Sequence, residues 1–343
     1  MKKGKKFLAL LLVFVLAGSL VVGCGGQEKQ SGDAAQPSEQ KEETPFKVAA
    51  LLPGPINDNG WNASAYEGLK LVEKELGAEI AYQESVPQSD FEESFRGYAS
   101  QGYNVIIGHG FQFADAAKKV AKEFPNTTFL MTDSQEFQEP NVGSYSVLAK
   151  EAGFLGGVVA AAYTKSNKVA IVGGLSIPPV TGMIEGFKKG VKYTNPEVEA
   201  LTTITGSFED VAKAKEMAKV FIQQGADIIM HQADQAGLGV IEAAKEHKIP
   251  AIGVIKDQSG LAPDTVLVSA FRNIPEGVLY IVKQVKDGQF KPQFYPLGVK
   301  QDVVGLIWNP QLEDKVPAEA KAKIEQIVSD LKEGKIDLES LPE

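Results

Sequence analysis

The chain carries one α/β unit twice, and this duplication constrains its fold more than any other feature. Lys47-Val48-Ala49-Ala50-Leu51-Leu52-Pro53-Gly54 is echoed by Lys168-Val169-Ala170-Ile171-Val172-Gly173-Gly174. Tyr66-Glu67-Gly68-Leu69-Lys70 is echoed by Ile184-Glu185-Gly186-Phe187-Lys188, and Gln101-Gly102-Tyr103-Asn104-Val105-Ile106-Ile107 by Gln224-Gly225-Ala226-Asp227-Ile228-Ile229-Met230. Thr132-Asp133 is paired with Lys256-Asp257 on the same spacing. The offset stays near about 120 residues, a whole-domain spacing and too long for a solenoid. Four matches in order imply two similar α/β lobes with a cleft between them, the architecture of a hinged small-molecule receptor.

Apolar periodicity fills in each unit. Strands are expected at 46–52, 78–83, 104–107, 128–131 and 142–147, with helices at 62–76, 90–101 and 114–123 between them. The second unit repeats the alternation. Its strands are expected at 168–172, 199–204, 227–230, 251–255 and 266–269, and its helices at 151–163, 183–193, 210–223 and 238–247. A helix at 274–287 returns to the first lobe, short strands follow at 293–297 and 303–308, and a charged amphipathic helix at 318–332 ends the chain. Such alternation calls for parallel βαβ units. The fold class is therefore α/β, two Rossmann-like parallel-sheet lobes joined by a multi-strand hinge. Crossings are expected around Val147, Ser269 and Pro292. The first lobe takes 46–148 plus about 273–290, and the second 149–272 plus about 291–343.

The amino-terminal segment reads as a targeting signal. A basic stretch, residues 1–6, precedes an apolar run at 7–22. It ends in Val21-Val22-Gly23-Cys24, similar to a lipobox, with the only cysteine of the chain at its end. Residues 1–23 are expected to be a lipoprotein signal peptide, Cys24 the lipidated residue and 24–45 a flexible polar tether. The expected location is the extracytoplasmic face of the cell membrane, held by lipid. A single cysteine allows no intramolecular disulfide. The small residues of 153–162 suggest a tightly packed buried helix.

A net charge of −9 argues against a nucleic-acid partner, which wants clustered Lys and Arg. No Gly-x-Ser-x-Gly elbow or phosphate loop is present, and the three histidines have no metal spacing. No enzyme, cofactor or metal is expected, and the chain is expected to be a monomer.

Ligands of open parallel sheets bind beyond the carboxyl ends of the strands. After the first strand come Asn57, Asp58, Trp61 and Asn62, with Trp61 a stacking platform for a flat ligand or a staple on the next helix. Asp58 and Asn62 either hydrogen-bond a ligand, or Asp58 only caps that helix. His109 and Phe111 follow the third strand and Asp133 the fourth. In the second lobe the counterparts are Phe208, Asp234 and Asp257, with His231, Gln232 and Gln258 beside them, and Pro178-Pro179-Val180 closes the ring.

These residues resemble the basic membrane protein family of substrate-binding lipoproteins, a branch of the type I periplasmic-binding fold. The first-loop motif is Asn57-Asp58-Asn59-Gly60-Trp61-Asn62 followed by Glu67-Gly68-Leu69. Gly110-Phe111, Pro125 to Phe129 with Asp133, and Gly206-Ser207-Phe208-Glu209-Asp210 add to it. The resemblance covers the chain beyond the tether. It implies delivery of ligand to the permease and ATPase of an ABC importer, with a purine nucleoside or base as ligand. One departure matters. Where nucleoside binders of the family look like Gly-Val-Asp-x-Asp-Gln, with the first acid on the ribose, this chain has Gly253-Val254-Ile255-Lys256-Asp257-Gln258, and Arg272 matches their later lysine. Loss of that hydroxyl partner favours a free purine base. The rival readings are a receptor of the same fold for a sugar or signalling molecule, and a surface lipoprotein used for adhesion or sensing.

Overall fold

The structure, a computed structural model, describes residues 45–342 apart from Asn59. The signal peptide, Cys24 and nearly all of the tether lie outside the described residues. Residues 44–343 form one compact unit.

Two sheets organise this unit. The first holds β1 (Lys47–Leu51), β2 (Glu79–Gln83), β3 (Val105–Gly108), β4 (Thr128–Thr132), β5 (Val142–Val147) and β11 (Phe294–Leu297), in the order β11-β5-β4-β3-β1-β2. The second holds β6 (Lys168–Gly173), β7 (Glu199–Ile204), β8 (Ile229–Gln232), β9 (Ala251–Ile255), β10 (Val266–Arg272) and β12 (Val304–Trp308), in the order β12-β10-β9-β8-β6-β7. The two orders coincide position by position, so the duplication read in the sequence is a duplication of topology. All pairings are parallel except β10 with β12. Helices cover both faces of each sheet, so the inner strands are continuous apolar runs: β3 and β9 are buried throughout.

The helices of the first lobe are α1 (Trp61–Leu76), α2 (Phe91–Ser100) and α3 (Ala114–Ala121), joined by α8 (Ile274–Lys286), which packs on α1. The others are α4 (Ala149–Tyr163), α5 (Pro178–Thr194), α6 (Val211–Gln223), α7 (Gly237–His247) and α9 (Ala318–Lys332). Helix α1 buries Ala65, Leu69 and Val72 on one stripe. Helix α5 begins at Pro178-Pro179, expected to be a loop, because proline is tolerated in a first turn, where backbone N–H groups have no helical partner.

The chain crosses between the sheets after β5, after β10 and between β11 and β12. Two expectations are corrected here. Residues 294–297 were placed in the second lobe, but β11 pairs with β5 and extends the first sheet. The third crossing therefore lies at 298–303 rather than at Pro292, and the second follows Arg272 because β10 runs three residues beyond Ser269. The crossings bond to one another. Leu148 N–H donates to Leu297 O (2.8 Å) and Asn273 N–H to Val303 O (2.7 Å). Val299 N–H donates to the half-buried Glu151 carboxylate (2.6 Å). This is the hinge.

Candidate functional site

Within each sheet the chain leaves the first strand to one side and returns to the other. The switch falls between β1 and β3 in one lobe and between β6 and β8 in the other. Loops diverge at such points and leave a crevice.

At the first switch point Asp58 organises the loop. Its carboxylate accepts from the backbone N–H groups of Gly60, Asn62 and Ala63 and from the Asn62 side chain, all at 2.8–2.9 Å. This satisfies N–H groups that the first turn of α1 leaves free. Asn62, buried, accepts in turn from Gly54 N–H (3.2 Å). Asp58 thus caps α1, and Asn62 ties the loop together through Asp58 and Gly54. Asn57 is exposed on the loop.

The cap sets Trp61 at the start of α1, half-buried against the core. His109, after β3, stacks on the indole with ring centroids 4.0 Å apart. Its Nε2–H donates to Trp61 O (3.0 Å), and Nδ1 lies 3.2 Å from Thr132 Oγ1, itself bonded with the Tyr145 hydroxyl (2.9 Å). Burial holds this imidazole down at about 4, only partly offset by the bond to Trp61 and the charges of Asp133 and Asp58. It is a neutral ring that stacks on the indole and fixes it.

Asp133, after β4, is bound by Arg272 from the end of β10. One guanidinium nitrogen donates to both carboxylate oxygens at 3.0 Å, and the side chains are 1% and 4% exposed. Ser146 donates to the same carboxylate (2.6 Å), and Arg272 Nε–H donates to Val147 O (2.6 Å) at the first crossing. The guanidinium also lies 5.7 Å from the Trp61 ring centroid. Arg272 therefore joins the second sheet, the hinge and the first-lobe loops. The sequence reading matched it to a family lysine but left it out of the site. The signal was there: a lone charge closing the apolar strand Val266–Arg272.

The second switch point presents a different surface. Asp234 reaches the first lobe, its Oδ1 3.2 Å from where a Cβ on Gly60 would stand. Burial first, and then the Asp58 charge, raise this carboxyl to about 6, against the pull of Arg272. His231, sealed and held neutral at about 4 by burial, donates from Nε2–H to Gln258 Oε1 (2.9 Å), which also accepts from Val254 N–H. The Gln258 side-chain oxygen is thereby spent inside the lobe. Phe208 lies over Gly174, where a Cβ would stand 2.3 Å from its ring. Asp257 is exposed and accepts from Ser259 N–H (2.9 Å) in its own turn. Asp133 and Ile255 both take left-handed backbone at the ends of equivalent strands, φ 51° and 68°. The counterpart of Asp133 is thus Ile255, not Asp257. A β-branched residue there stores about 1–3 kcal/mol of strain, and such strain clusters at ligand sites.

A cavity of about 800 Å³ opens beside this cluster. Phe111 and Asp133 line it from the first lobe, Pro178 and Pro179 from the second, and Glu151 from the hinge. Its size is in the range of small-molecule sites. The structure therefore gathers Asp58, Trp61, Asn62, His109, Asp133 and Asp234 around Arg272, puts Phe111 on the cavity wall, and leaves Phe208 on its own lobe and Asp257 on the surface.

Residues 46–337 match the family model described as ABC transporter substrate-binding protein PnrA-like. Basic membrane protein A2 of Borrelia garinii subsp. bavariensis is 30% identical over 329 residues, 93% of each chain. The ABC transporter nucleoside-binding protein BmpA of Lactococcus lactis subsp. cremoris is 30% identical over 359 residues, covering 98% of this chain and 99% of that one. Among solved structures, an ABC transporter solute-binding protein from Conexibacter woesei superposes with a TM-score of 0.72 at 26% identity, over 87% of this chain and 98% of that one.

Proposed function

Because the chain belongs to the PnrA-like family of ABC transporter substrate-binding proteins, we propose that it captures a free purine base between its lobes and delivers it to an importer. The family consists of binding proteins, so the chain is not an enzyme; it acts outside the cytoplasm on a small molecule and with an ABC permease and its ATPase. Among the described residues no helix is long and apolar enough to cross a membrane. In this reading lipid on Cys24 anchors a monomer to the extracytoplasmic face.

The observation that carries the ligand class is the indole of Trp61. It is held by His109 at one switch point and overlooked by Arg272 and Asp234 from the other lobe. A flat heteroaromatic ring stacks on this indole, with Phe111 on the cavity wall as a second ring and Asp133 as a further acceptor. Contacts from both lobes exist only in the closed form, so ligand shifts the hinge toward closure. A nucleoside is the second reading, favoured by the name of the Lactococcus lactis relative. Ile255 speaks against it, since an apolar side chain leaves a ribose hydroxyl unpaired.

Calorimetric titration of residues 44–343, unfolded and refolded to strip carried ligand, tests the stack. Trp61→Ala is expected to weaken a purine base by about 1–3 kcal/mol. Unchanged affinity would remove Trp61 from the site.

A further inference from the structure

Two groups at the carboxyl end of β8 accept hydrogen bonds and have no donor. The Gln232 side chain is 7% exposed, and its Oε1 has no hydrogen-bond partner. Two residues on, the Asp234 carboxylate makes none of the hydrogen bonds or ion pairs that engage Asp58 and Asp133. A buried acceptor without a donor, as at Gln232, costs about 1–3 kcal/mol, while Asp234 is partly exposed. Asp234 is also held in left-handed backbone at φ 43°, a conformation that aspartate tolerates better than most residues. Both groups follow β8 at the second-lobe switch point, and Asp234 lies across from Gly60.

The side-chain acceptors of Asp133, Asp58 and Gln258 are committed. Arg272 serves Asp133 and Val147, Asp58 serves the α1 cap, and Gln258 serves His231 and Val254. Asp234 offers two acceptor oxygens and Gln232 one, and the Asp234 carboxylate, unlike the amides of Gln232 and Gln258, has no N–H to give. A free purine has a single ring N–H to give. An exocyclic amino group adds two more, and that number suits the three acceptors.

We propose that Asp234, with Gln232 behind it, is the specificity determinant of the second lobe and selects an amino-bearing purine base. This rests on the purine reading above and names the ligand edge that the second lobe recognises. Hydrogen bonds from the amino group strengthen with the charge on Asp234, so binding favours the carboxylate over the acid. The groups facing it are Asp58, which raises its affinity for a proton, and Arg272, which lowers it. Its carboxyl stands at about 6 without ligand, so amino-purine affinity falls as the pH drops below that value. His109 and His231, both at about 4, remain neutral through the same interval.

The test titrates stripped wild type and Asp234→Asn, both residues 44–343, with adenine and with unsubstituted purine, at about pH 7.5 and about pH 5. Asparagine keeps the shape and the backbone preference while replacing one acceptor oxygen by a donor. Wild type is expected to prefer adenine by about tenfold to a hundredfold at the higher pH, the scale of a hydrogen bond to a charged group, and to lose much of that preference at the lower. Asp234→Asn, with unaltered thermal unfolding, is expected to bind the two ligands within a few-fold of each other at both pH values. A variant that keeps the wild-type preference overturns the assignment. If wild type binds purines and Trp61→Ala weakens them while Asp234→Asn changes nothing, the ligand class stands and this inference fails. If folded wild type binds neither ligand, the purine reading fails and takes the inference with it.

Discussion

His109 and His231 are the residues whose chemistry burial changes most plainly. Each is sealed and held at about 4, against an ordinary value of 6.5. Between those values the unfolded chain binds protons that the fold refuses, so stability rises with pH across the interval. The stabilisation is complete above about 6.5 and is lost as the pH falls toward 4, by roughly 3 kcal/mol per histidine at most. Asp234 works the other way: its carboxyl is raised from 3.8 to about 6, so folding takes up a proton there and favours the lower pH. Two histidines against one aspartate leave a net loss on acidification. Urea unfolding of residues 44–343 at about pH 7 and about pH 4.5 should show it, and His109→Gln with His231→Gln should flatten the difference. Equal stability of the wild type at both pH values would contradict the sealed, neutral assignment. The residue types around the site were legible because they follow strand ends. Their partners were not, since Arg272 finds Asp133 from 139 residues away and nothing local announces the pairing.

At the scale of elements, α4 and α5 meet backbone to backbone. A Cβ on Gly153 or Gly157 would stand 2.0 or 2.1 Å from the carbonyl oxygens of Met183 and Phe187. A Cβ on Gly186 or Gly190 would meet those of Lys150 and Phe154 at the same distances. Gly186→Ala should therefore force the helices apart and cost about 1–3 kcal/mol or more by denaturant unfolding. Gly182→Ala in the same helix has open space and should be tolerated, so equal effects would refute the close packing. The small residues of 153–162 made a tightly packed helix legible. The partner helix was half-read, because Pro178-Pro179 looks like a loop until the first-turn rule is applied. Strand β11 was recognised as a strand but assigned to the wrong sheet. Its four residues carry no pattern that selects one sheet over the other, and the choice is made by pairing with β5.

At the scale of the molecule, the repeat in the sequence announced two lobes of the same alternation, and the loops after their strands pointed to the neighbourhood of the site. The shared strand order comes from the pairing of the strands. The three crossings of the hinge were legible only roughly, and how they bond to one another was not. Three crossings come together there through bonds among Leu148, Leu297, Asn273 and Val303, residues far apart in the chain. A receptor built this way is stabilised by whatever closes it. The most direct measurement is thermal unfolding of ligand-stripped residues 44–343 against purine bases, nucleosides, pyrimidines and sugars. A purine base at about 100 times its dissociation constant should add about 2.7 kcal/mol of stability, with nucleosides adding less. A shift with sugars or pyrimidines and none with any purine would contradict the capture of a purine base between the lobes.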